Sequence, residues 1–118
     1  MDVDTTLPQF PGAEALFLAN NIFHAIATVY EYCYGVRGPG RMTPELLKQK
    51  LSQYINEVTR KDISDKQTIQ YFADILYVEI HMHYSADVEK YIPKTKHVAR
   101  DIPLHIGVHD SGYYPLIV

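Results

Sequence analysis

Tyr77-Val-Glu-Ile-His-Met-His-Tyr84 is the stretch on which the fold turns. It alternates well enough to be a strand. It also prolongs the helical stripe of Ile69, Phe72, Ala73 and Leu76 through Ile80 and Tyr84, at spacings of three and four. Neither Gly nor Pro separates it from that stripe, so continuation of the helix is the simpler reading. The choice decides the chemistry. On a strand, His81 and His83 point the same way and can share a metal. On a helix they lie about 200° apart around the axis and cannot chelate, and Glu79 and His83, four apart, become the better-placed pair.

The helix leading into this stretch starts at a capping box, Ser64-x-x-Gln67. Upstream, Leu16, Ala19, Phe23, Ile26, Tyr30 and Cys33 recur at helical spacing, predicting a helix from about Gly12 to Tyr34 that Gly35 ends. Phe17, Leu18, Ile22 and Val29 widen its apolar surface, which suits a central helix or one covered by another subunit. Arg37-Gly-Pro-Gly-Arg41 is a loop, and Thr43-Pro44 supplies an N-cap and first turn for a second helix burying Leu47, Leu51, Tyr54, Ile55 and Val58. Ser85 would cap a short fourth helix carrying Val88, Tyr91 and Ile92 before Pro93.

The last quarter changes character. Ile102, Leu104, Ile106 and Val108 alternate strictly, His109-Asp-Ser-Gly112 reads as a turn, and Tyr113 to Val118 returns. Pro103 and Pro115 point to edge positions for both arms. The fold class expected is therefore mainly α (α+β): three main helices plus a short fourth, with a small C-terminal β-hairpin packed on them. All of it forms a single domain over 1–118, with an extended arm over 1–11, a helical part over 12–92 and the hairpin over 101–118.

Composition narrows the function classes. At 118 residues, with 47% apolar and 21% charged side chains, the chain can bury one core unaided. A formal charge of −3 gives no electrostatic footprint for nucleic acid or an anionic membrane. Cys33 is the single cysteine, so no internal disulfide forms, and a reducing, cytoplasmic setting is expected. No apolar run is long enough for a membrane span. Ten Tyr and no Trp is an unusual balance, and Tyr is favoured at protein interfaces.

Histidine is the residue type with chemical content. His81, His83, His97, His105 and His109 crowd the C-terminal part. His81 and His83 with His109 or Asp110 would give zinc, iron or manganese an acceptable ligand set. His81-Met-His83, with Tyr91-Ile-Pro-Lys94 downstream, also resembles the HUH endonucleases of rolling-circle replication and the relaxases. That resemblance implies a metal held by His81 and His83 and Tyr91 attacking a DNA phosphate. Arg100-Asp-Ile-Pro-Leu-His105 is similar to the Arg-x4-His motif of the HEPN ribonucleases, which are helical dimers. There His105 would be the acid–base and Arg100 would hold the scissile phosphate. Basic loops at Arg37/Arg41 and around Lys94 read as solvated surface. The function expected is that of a small soluble, non-enzymatic protein acting by self-association or protein–protein binding. The alternative is a metal- or histidine-dependent nucleic-acid phosphodiesterase.

Overall fold

The computed structural model describes residues 7–35, 41–58, 65–85, 87–95 and 101–118. In chain order the elements are β1 (Glu14–Ala15), α1 (Ile22–Tyr34), α2 (Pro44–Val58), α3 (Asp65–Leu76), β2 (Ile80–His83), β3 (Val88–Tyr91), β4 (Leu104–His109) and β5 (Gly112–Ile117). The strands form one five-stranded sheet in the order β1-β5-β4-β2-β3. β2 and β4 run parallel and every other pairing is antiparallel. This corrects the expected mainly helical fold with an appended hairpin: the sheet is the core layer, and the segment expected to form a fourth helix is strand β3.

The decisive stretch is a strand because α3 stops before it. Tyr77 takes a left-handed φ of 55°, and the Val78 N–H reaches back to the Ala73 carbonyl at 3.2 Å. That is a Schellman closure, with fully buried Val78 packed beside Ala73. Glycine normally holds this left-handed position, so a Tyr there gives no stop signal. The β4–β5 turn uses the same device, with Asp110 at φ 48° and Ser111 at φ 63°, the primed geometry that matches strand twist.

The other caps are as the sequence indicates. Gly35, at φ 61°, ends α1 with its N–H on the Glu31 carbonyl. Thr43 caps α2, its Oγ1 accepting from the Leu46 N–H at 3.1 Å. Ser64 and the Arg37–Arg41 glycine loop lie outside the described residues, Arg41 excepted. α1 starts ten residues later than expected from Gly12, with Asn21 as N-cap. Residues before it run extended along β5: Glu14 and Ala15 pair with Ile117 and Leu116, and the Leu16 and Ala19 N–H groups bond Pro115 and Tyr113 carbonyls.

Pro115 is therefore inside the sheet, not at its edge. Its carbonyl faces Leu16, so its ring nitrogen faces the same side, away from β4, and no bond of the β4–β5 ladder is lost. Pro103 precedes β4, which is the central strand.

Helices cover one face of the sheet. α1 packs on β4 and β5, α3 on β2 and β3, and α2 lies against α1 and α3. Ile80, Met82, Leu104 and Ile106 meet Phe72, Ile26, Val29 and Leu47 there, all with no more than 2% exposure. Ala25, Ile26, Ala27, Val29 and Tyr30 of α1 are thus covered from within the chain, while Tyr32 stays exposed. Buried Asp74 ties the layers, accepting from Tyr54 Oη, Gln70 Nε2 and the Lys94 N–H at 3.0–3.3 Å. On the opposite face, Phe10, Tyr114 and Leu116 form a second small core with Leu7, Ala13 and Ala15. No helix among the described residues is long and apolar enough to cross a membrane.

Candidate functional site

Strand alternation and the β2–β4 register together build a histidine cluster on the face away from the helices. Ile80 and Met82 point into the helical layer, so Glu79, His81 and His83 point out. Parallel pairing sets His81 opposite His105 and His83 opposite Gly107. His83 Nε2 and His105 Nδ1 are 2.8 Å apart and hydrogen-bonded. The His81 and His105 rings meet edge to face at 4.8 Å, and His81 Nε2 lies 3.4 Å from Glu79 Oε1.

Burial keeps two of the rings, His83 and His105, neutral. Burial, then the nearby His81 and His83, pull His105 down to about 4. His83 is lowered by burial and then by His81. With both rings neutral, one nitrogen of the His83–His105 contact donates and the other accepts. Among the described residues no buried side-chain nitrogen or oxygen lacks a partner.

The sequence-predicted residues divide clearly. His81 and His83 do share a face, because residues 80–83 are strand, contrary to the expected helix. His109 does not join them: it sits two residues beyond Gly107 on β4, half-exposed and 3.3 Å from Asp110. Tyr91 pairs with Ile80 and so faces the helices, on the other side of the sheet from the histidines. Its hydroxyl donates to Glu89, and burial followed by the Glu89 charge raises it to about 12. The HUH-like arrangement of Tyr91 beside a His81/His83 metal is therefore not assembled. Arg100 lies outside the described residues, and His105 sits on a strand of the central sheet, unlike the helical HEPN setting. As they stand, no three His, Cys, Asp or Glu side chains among the described residues converge to hold an ion.

His105 also forms one wall of a cleft of about 410 Å³, lined otherwise by Tyr32, Cys33, Ile102, Pro103, Leu116, Ile117 and Val118. The lining carries no charged side chain, since His105 is neutral. Tyr32, Ile102 and Val118 are 61%, 47% and 69% exposed, so they stand up around the cleft. Ile102 is held firmly: the Tyr34 hydroxyl donates to its carbonyl and accepts from its N–H. Burial raises the Cys33 thiol, which makes it a poor nucleophile. Sequence reading did not find this cleft, because its walls come from α1, the segment before β4 and the end of β5. Comparison with protein-family models, with curated proteins and with solved structures gives no match.

Proposed function

We propose that this protein acts by non-enzymatic binding, and that the partner is a second copy of the same chain docked at the His105 cleft. The observation that carries the reading is that apolar knobs and an apolar socket occur on one patch. Tyr32, Ile102 and Val118 project beside a 410 Å³ hollow whose lining side chains are uncharged. A two-fold interface needs a surface that is complementary to itself, which a knob beside a hole provides. Next to Tyr32, Arg41 pairs with Glu31 at 3.0 Å, so both signs of charge border the patch and can exchange partners across a two-fold axis. A standard interface takes about 800 Å² per partner, roughly a tenth of the 7602 Å² surface here. Cys33 and the candidate nucleophile Tyr91 are both pushed away from ionisation, which favours binding over covalent catalysis at these two residues.

Light scattering across a hundredfold range of protein concentration tests this. The wild-type chain should shift from monomer to dimer. Ile102→Glu should stay monomeric with an unchanged circular dichroism spectrum, since the Ile102 side chain is half-exposed and its backbone is held by Tyr34. A wild-type chain that is monomeric throughout, or a variant that dimerises equally well, refutes the reading.

A further inference from the structure

We propose that His81, His83 and His105 form a site for a late first-row divalent cation of the zinc and copper class on the face of the sheet away from the helices. The argument is independent of self-association at the cleft. It rests on three imidazoles that two parallel strands hold side by side. His83 and His105 already contact one another through ring nitrogens at 2.8 Å. Two imidazole ligands of one tetrahedral zinc, each at about 2.0–2.1 Å, stand roughly 3.3 Å apart. Replacing the hydrogen bond by an ion moves the donor ring's proton to its other nitrogen, opens the pair by about 0.5 Å and tilts both rings so that their lone pairs meet at the ion.

The third ligand is near. The His81 ring lies 4.8 Å from the His105 ring, centre to centre. Its Nε2 makes a long, 3.4 Å contact to Glu79, which is weak enough to exchange for a metal bond. Turning His81 inward completes a three-nitrogen set and brings the Glu79 carboxylate into position as fourth ligand or as the group orienting His81. Three imidazoles select zinc, copper or nickel over magnesium and calcium, which require oxygen donors. The backbone beneath is preorganised: the His81–His105 and His83–Gly107 pairings belong to the central ladder of the sheet. The site differs from the one the sequence suggested, since His105 takes the place of His109.

The test titrates the metal-free full-length chain with Zn²⁺ alone, followed by calorimetry, and with Co²⁺ as a spectroscopic probe of coordination. The expected result is one equivalent bound, tetrahedral Co²⁺ bands, and a raised melting temperature. His105→Asn and His81→Gln should each weaken binding tenfold or more, while His109→Ala should leave it unchanged. His81→Gln guards against misfolding, because it keeps a polar side chain of similar size at a position that is only 12% exposed. Absence of binding overturns the proposal. So does undiminished binding in folded His105→Asn or His81→Gln protein, or loss of binding in His109→Ala.

Discussion

Replacing Gly107 by alanine should destabilise the protein through one ring, that of Phe10. An ideal Cβ at Gly107 falls within 3 Å of three ring carbons of Phe10, including Cε2 at 2.7 Å and Cε1 at 2.8 Å. Ordinary carbon contacts need about 3.5–4.0 Å, so the ring has to retreat by about 1 Å. It has little room to do so, being 5% exposed and wedged against Tyr114 at 6.1 Å between centroids. Overpacking of this kind costs about 1–3 kcal/mol. Against it stands the gain of about 0.4–1 kcal/mol that alanine brings by restricting the unfolded chain, since Gly107 is not a left-handed position. The net loss is about 1–2 kcal/mol, a fall in melting temperature on the order of 5–10 °C. Urea denaturation of Gly107→Ala, Phe10→Ala and the double variant checks it as a cycle. In the Phe10→Ala background the same alanine should be neutral or stabilising, because the obstructing ring is gone. Equal losses from Gly107→Ala in both backgrounds would refute the claim that Phe10 seals this face over Gly107.

Three further outcomes are expected. The metal-free protein should lose stability on acidification. The folded-state value of His105 is about 4 against an ordinary 6.5, so its contribution is complete above pH 6.5 and is lost as pH falls towards 4. The ceiling of roughly 3 kcal/mol becomes about 1–2 kcal/mol once solvent screening of the half-buried ring is allowed for, and His105→Gln should flatten the profile of melting temperature against pH. Asp74→Ala should cost about 1–3 kcal/mol in urea unfolding, because it strips three donors, from α2, α3 and the segment after β3, of their acceptor. An unchanged midpoint would show that water replaces the carboxylate. Tyr77→Gly should stabilise by about 0.5–1 kcal/mol by relieving the left-handed residue at the end of α3, and a lowered melting temperature would mean that the half-exposed ring contributes more than the strain costs.

Helices α1 to α3 were legible where local chemistry speaks for itself. Their apolar stripes bury Ile26, Leu47 and Phe72, and Gly35 and Thr43-Pro44 mark ends that local hydrogen bonds enforce. The sheet was largely illegible for two separate reasons. Its boundaries rest on left-handed residues that are not glycine, Tyr77 above all, so the usual stop signal is missing. Its pairings are also non-local: β2 meets β4 across β3 and its connections, and β5 takes Glu14 and Ala15 from just over a hundred residues away. Val88 and Tyr91, three apart, fit a helical turn as well as the strand they occupy, and only the neighbouring β2 decides between them. The alternating run before His109 was readable as strand, yet its central position was not, because Pro115 sheds its missing donor to the β1 side.

The histidine cluster follows from the same register. Leu104 and Ile106 have to face the helices opposite Ile80 and Met82, all four with no exposure. Slipping β4 by one residue would turn His105 into that apolar layer and expose two aliphatic side chains, at a cost of several kcal/mol by burial of a polar ring and loss of apolar contact. Core packing alone therefore brings position 105 beside positions 81 and 83. What packing does not dictate is the residue type at those places. Any side chain tolerant of a half-covered sheet face would satisfy the fold, and three imidazoles in contact are electrostatically unfavourable as soon as any two are protonated. That is why the conservative substitution His81→Gln separates a ligand set from a packing accident: the fold should survive it and the metal site should not.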